Sequence, residues 1–172
     1  LNNLYALTLD KSDDAPEVVA KLADMLDYML YQCAEPKVSV HKEIALIHNY
    51  IDLEKLRYGH RLQLDFTHSL DNTQTQIAPL ILISLVENAF KHGASTAMQE
   101  VVIRISLEVV QSQLRFKVFN TKSETSSDMA GYKKGIGVKN IQRQLELVYP
   151  NRYEWQVVEE ADSYEVNFRL NL

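Results

Sequence analysis

Near Leu62 the spacing of apolar residues shifts from steps of three and four to steps of two, which divides the chain into a helical segment and an α+β unit. Downstream, Leu62, Leu64 and Phe66 alternate with polar residues, as do Ile103, Ile105, Leu107 and Val109, then Leu114, Phe116 and Val118. The sets Tyr153, Trp155, Val157 and Tyr164, Val166, Phe168, Leu170 repeat the pattern. Such alternation describes a sheet with one wet face, so the other face needs a cover. The long helical patterns left in this half run from about Pro79 to His92 and from about Val138 to Tyr149, which predicts a two-layer α/β sandwich.

Residues 1–58 read as helices and 59–172 as the sandwich. Asp14 followed by Pro16 and Glu17 has the form of a capping-box start, after which Val18, Leu22, Met25 and Met29 step by four, three and four. This bundle-like stripe needs a partner surface, and the same helix in a second copy would supply one. Pro36 in EPKVS interrupts the helices. The next runs from about His41 to Tyr58 with Ile44, Ile47 and Ile51 on one side, and Gly59 ends it. The polar stretch 121–134, TKSETSSDMAGYKK, has no periodicity and reads as a mobile loop.

Charge narrows the function classes. With 18 Lys and Arg against 23 Asp and Glu the net charge is −5, which argues against wholesale binding to nucleic acid or anionic membrane, so a phosphate site must be built locally. The longest nearly unbroken apolar run, Ile77 to Val86, is about half of the ~20 residues that cross a bilayer. The one cysteine, Cys33, fits a reducing compartment and a packing role.

The helix PLILISLVENAFKHG has two stripes. Leu82, Leu85, Val86, Ala89 and Phe90 follow core spacing, while Ser84, Glu87, Asn88 and Lys91 place an acid, an amide and an amine in a row along one flank. A solvated face would give the same row. What favours chemistry is KKGIGVKN, in which Gly135 and Gly137 stand at a helix entrance with Lys133, Lys134 and Lys139 nearby. Such a junction offers unpaired N–H groups and close approach to a phosphate chain, although two glycines before a helix are often only a turn.

In this order and on these elements, the two motifs resemble the GHKL (Bergerat) ATP-binding fold shared by gyrase, a heat-shock chaperone family, histidine kinases and MutL. The resemblance implies ATP and Mg²⁺ as cofactors, Asn88 as metal ligand, Glu87 as the catalytic base or orienting group, and Lys91 as a phosphate contact. Gly135 and Gly137 match the glycine motif at the root of the ATP lid, and the implied nucleotide-binding set also takes in Lys134, Val138 and Asn140; His92 adjoins that set and reads equally as a nucleotide contact or as a helix C-terminal histidine favoured by the dipole. The closer resemblance, over nearly the whole chain, is to LytS-type sensor histidine kinases. LNNLYAL resembles the stretch just after their phosphorylated histidine, VSVHKEIALIHNYIDLEKLRYGHRL their linking helix, LVENAFKHG their helix motif, and GIGVKNIQRQLELVYP their second glycine box, with Asn140 and Arg143 in place. Two positions depart from the pattern. Where many relatives have a DxGxG box this chain has Asn120 for the Asp and Lys122 for the first Gly, and Asp27 stands where relatives often have Arg.

The resemblance implies a protein-histidine kinase that dimerises through its N-terminal helices, hands phosphate to a response regulator receiver domain, and forms the cytoplasmic part of an inner-membrane sensor. Nucleic acid is not an expected partner. Asn120 is expected beside the adenine, with its side-chain oxygen as acceptor. None of the five histidines fits the acceptor position, which the family places a few residues before LNNLYAL, so the chain reads as truncated just after it. His41 and His48 read as surface groups on the linking helix, and His60 and His68 as flanking the first strand. A pseudokinase scaffold that dimerises and binds its regulator with little nucleotide is the alternative, resting on Asn120. An ATPase clamp of the MutL or gyrase kind is disfavoured, for want of a transducer domain.

Overall fold

A computed structural model describes residues 8–9, 12–93, 100–122 and 136–172, with the side chains of 92–93 and 136–138 left aside. The elements are α1 (Ala15–Tyr31), β1 (Val38–Ser39), α2 (Val40–Tyr58), β2 (Leu62–Leu70), β3 (Gln76–Ile77), α3 (Ile81–Gly93), β4 (Val101–Val110), β5 (Gln113–Thr121), α4 (Ile136–Val148), β6 (Tyr153–Glu159) and β7 (Ser163–Asn171). Five strands form one sheet in the order β2-β4-β5-β7-β6, parallel between β2 and β4 and antiparallel elsewhere.

The expected alternation fixes which face is covered. Ile103, Ile105, Leu107 and Val109 of β4 and Leu114, Phe116 and Val118 of β5 are buried, and α3 packs on both strands. Leu82, Leu85, Val86, Ala89 and Phe90 on the inner side of α3 are also buried, so the two layers of an α+β sandwich are present. Each fully buried leucine, isoleucine or phenylalanine stabilises this core by roughly 1.5–3 kcal/mol relative to exposure. Buried apolar contacts run without a break from Met25 of α1 to Leu170 of β7. On β6 and β7 the pattern weakens: Tyr164 and Trp155 are half-buried, and Val157 is exposed because β6 is the sheet edge.

Three expectations in the helical segment need correction. Asp14 makes no side-chain cap; its own N–H donates to Ser12 Oγ at 3.2 Å, so Ser12 takes the turn and the capping box does not form. Met29 is exposed, and Tyr28 completes the inner stripe with Val18 and Met25, because only that side of α1 meets α2. The linking helix begins at Val40, one residue before His41, and Val38–Ser39 pairs with Gln76–Ile77 in a two-residue ladder. Gly59 does end α2, with a positive φ of 57° and its N–H on the Lys55 carbonyl.

Two further boundaries move in the sandwich. Thr121 belongs to β5, paired with Ser163, so the expected loop starts later, and 123–134 of it lie outside the described residues. His68 lies within β2 rather than beside it.

Candidate functional site

The polar row of α3 faces a groove. Ser84, Glu87, Asn88 and Lys91 line one wall, Asn140, Ile141 and Gln144 of α4 the other, around about 240 Å³. Periodicity explains the arrangement: these α3 positions recur every three or four residues beside the buried stripe, so burying Leu82, Leu85 and Phe90 turns the row sideways toward α4. A second cleft of about 340 Å³ opens on the other flank of α3, between it and α2, and is lined by Tyr50, Arg57, Glu87, Phe90 and Lys91. Glu87 and Lys91 thus form a ridge shared by both.

The ridge is electrostatically tuned. Partial desolvation beside the helix pushes the Glu87 carboxyl above its usual range, Lys91 opposes the rise, and Glu54 of α2 adds to it. Glu54 is itself buried and raised by desolvation, while Arg57 Nη1 donates to its oxygens at 3.1 and 3.3 Å. Arg57 Nη2 also donates to the Tyr58 hydroxyl at 2.7 Å, with its guanidinium over that ring. A carboxylate with a raised pKa beside an amide and an amine can accept a proton and hold a polyanion at one place.

Of the expected nucleotide residues, Asn88, Lys91 and Asn140 meet Glu87 in the groove. Gly137 and Val138 lie in the first turn of α4 and His92 in the last turn of α3, without described side chains, whereas Lys134 and Gly135 fall outside the described residues. Asn120 is not among the groove-lining residues. Its side chain is fully buried, with Nδ2 donating to the Thr121 carbonyl at 3.0 Å and Oδ1 buried without a partner. An unpartnered buried acceptor is costly, and a ligand N–H donor would satisfy it. Among the described residues no three His, Cys, Asp or Glu side chains could hold a metal together. The donor set at Asn88 and Glu87 is oxygen-rich and small, as suits a Mg²⁺ held mostly by phosphate and water.

Sequence reasoning missed Gln144, whose Nε2 donates to the Pro79 carbonyl at 3.1 Å, Tyr149, whose hydroxyl accepts the Ala78 N–H at 2.8 Å, and Glu43. Glu43 lies on α2, fully buried, and accepts the N–H groups of Leu80 at 2.7 Å and Leu82 at 3.2 Å. It therefore caps α3 from another helix, where orphan N–H groups and the dipole favour an anion. Desolvation raises its pKa against the pull of four donors: Tyr28 and the Leu80, Leu82 and Ile83 amides. The Leu80 backbone is left-handed at φ 66°, a conformation costing roughly 1–3 kcal/mol for a non-glycine residue.

Comparison with known proteins agrees with this architecture. Residues 1–62 match the histidine kinase family model. Sensor histidine kinase BtsS of Escherichia coli is 27% identical over 177 residues, which cover 99% of this chain and 30% of that protein. The histidine kinase domain of a blue-light activated histidine kinase from Erythrobacter litoralis has a TM-score of 0.56 at 16% identity, covering 96% of this chain and 83% of that one. Histidine kinase ThkA, solved in complex with response regulator protein TrrA, has a TM-score of 0.51 at 16% identity over 95% of this chain and 51% of that one. The fold is that of histidine kinase catalytic domains, of the GHKL type. More narrowly, the chain is similar to sensor histidine kinases and spans about 30% of the length of the first curated relatives it matches.

Proposed function

We propose that the groove between α3 and α4 binds Mg·ATP, and that the chain is the catalytic part of a sensor kinase whose γ-phosphate passes to a histidine and then to an aspartate of a response regulator. The observation behind this reading is the convergence of Glu87, Asn88, Lys91 and Asn140 on one groove. Asn88 would hold Mg²⁺, which when bound neutralises charge on the triphosphate. Lys91 adds a positive group at the groove wall, the α4 N-terminus favours phosphate oxygens, and Glu87 orients the acceptor and takes its proton. Catalysis is then mainly positioning and charge compensation. Asn120 Oδ1 supplies the acceptor for the adenine amino group, reached once the base displaces what seals it.

In this reading residues 1–58 form the dimerising and linking helices and 59–172 the nucleotide-binding domain. Val19, Leu26 and Leu30 leave an exposed apolar side on α1, as a helix that pairs with its copy requires. Among the described residues no helix is long and apolar enough to cross a membrane, and the membrane anchor belongs to the longer protein proposed here, with this part on the cytoplasmic side. The ThkA complex supports a receiver domain as partner. A nucleotide-poor scaffold is the second reading, favoured by the sealed position of Asn120. Melting with and without millimolar Mg·ATP separates the two: a ligand bound only by the native state adds RT ln(1 + [L]/Kd), so a rise supports the kinase and no shift supports the scaffold.

A further inference from the structure

We propose that Glu43 is a positioning residue for the groove and that, through Tyr28, it ties the placement of α1 to that of α3. The inference rests on reading the groove as the nucleotide site. The segment leading into α3 is held at three successive residues by side chains from α2, from α4 and from the residue just after α4. The Ala78 N–H goes to Tyr149 and the Pro79 carbonyl to Gln144, both on the α4 side, and the Leu80 N–H to Glu43 on α2. Between these attachments Leu80 is kept left-handed, a state that a leucine adopts only when its surroundings dictate it. Gln144 also lines the groove, so one point of the chain sets both walls.

Glu43 joins this point to the helical segment. Its Oε1 accepts the Tyr28 hydroxyl of α1 at 2.5 Å and the Leu80 N–H, and its Oε2 accepts the Leu82 N–H. Every partner is a donor, an arrangement that suits an ionised carboxylate and that an apolar residue of the same volume could not reproduce. Packing alone does not require it, since buried charges seldom stabilise more than apolar replacements. Asn88 lies six residues beyond Leu82, about 9 Å along a stiff helix, so a tilt imposed at the capped end is transmitted to the ridge. Because the outer side of α1 exposes Val19, Leu26 and Leu30, whatever covers that side would act on the groove through Tyr28.

The test is Tyr28→Phe, which keeps the ring and leaves Glu43 its amide partners. Titration with Mg·ATP should give a Kd raised about 3- to 30-fold, the range of couplings carried by packed networks, and amide exchange at Leu80 and Leu82 should quicken. Glu43→Gln, whose carbonyl oxygen can still accept from Tyr28 and Leu80, should melt lower yet keep its Kd within about threefold, so that the loss of affinity follows the Tyr28 bond and not stability. A Tyr28→Phe protein that melts lower but retains the parent Kd overturns the proposal. Should the parent bind no Mg·ATP, the nucleotide reading fails on its own, and unchanged exchange at Leu80 and Leu82 in Tyr28→Phe then overturns the coupling.

Discussion

Replacing Asn120 by the carboxylate many relatives have should move two quantities in opposite directions. In the free protein residue 120 is fully buried, and its Nδ2 donates to the Thr121 carbonyl. Asn120→Asp removes that donor and leaves an ionised oxygen facing a carbonyl oxygen. The penalty has a ceiling, because the carboxyl can take up a proton and donate to Thr121 instead; neutralising an Asp of ordinary pKa 3.9 at pH 7 costs about 4 kcal/mol. A loss of ~2 to 4 kcal/mol is therefore expected, which for a chain of this size lowers Tm by roughly 5–15 °C. The folded pKa of the new Asp is raised, so the deficit is absent below the unfolded pKa, grows as pH rises toward the folded pKa, and is constant above it. With Mg·ATP the sign reverses: a charge-assisted bond to the adenine amino group should tighten binding by up to ~1 to 2 kcal/mol, so the ATP-induced rise in Tm exceeds that of the parent. Calorimetric melts at pH 4.5 and pH 7, with and without nucleotide, read both effects. A mutant with the parent's Tm at pH 7 and no larger ATP shift would refute the burial argument and the placement of residue 120 beside the base.

Other substitutions probe the entrance to α3, the ridge and α1. Tyr149→Phe strands the buried Ala78 N–H, so it should cost ~1 to 3 kcal/mol in denaturant melts; a change below about 0.5 kcal/mol would mean that another group satisfies this amide. The Glu87 carboxyl should titrate above its ordinary 4.5 by carbon-detected NMR, shift further up in Lys91→Met and come down in Glu54→Gln. Since a raised folded pKa means stability is lost as pH climbs from the unfolded value through the folded one, Glu87→Gln should flatten that part of the stability profile; a midpoint at or below 4.5 contradicts the assignment. Leu26→Glu combined with Leu30→Glu should leave a folded monomer by sedimentation if α1 pairs with its copy, and an unchanged dimer would place the interface elsewhere.

The legible parts of the fold were those where one face is buried over many residues. β4 and β5 alternate over nine or ten positions, and α3 has two parallel stripes, so period and function could be read together. The two-residue β1–β3 ladder is too short to have a period. Gln111 and Ser112 form the β4–β5 turn with positive φ at both, without the Asn or Gly that usually announces it, and the Asp71 carboxylate helps by accepting the Gln111 N–H at 2.6 Å. Glu43 gave no signal because its partners are backbone amides 37 and 39 residues away, which have no sequence signature, and the Tyr28 hydroxyl on another helix. The groove was half visible. The α3 wall can be read from VENAFKHG, but the roles of Gln144 and Tyr149 depend on how α4 crosses the entrance to α3.

Binding of Mg·ATP in the α3–α4 groove through Asn88 is the central claim. Calorimetric titration of the parent and of Asn88→Ala, each with ATP in Mg²⁺ and in EDTA, tests it most directly. The parent should gain affinity with Mg²⁺, Asn88→Ala should lose most of that gain, and the metal-free affinities should stay close. Equal losses with and without Mg²⁺, or a parent that binds neither form at millimolar nucleotide, would contradict it.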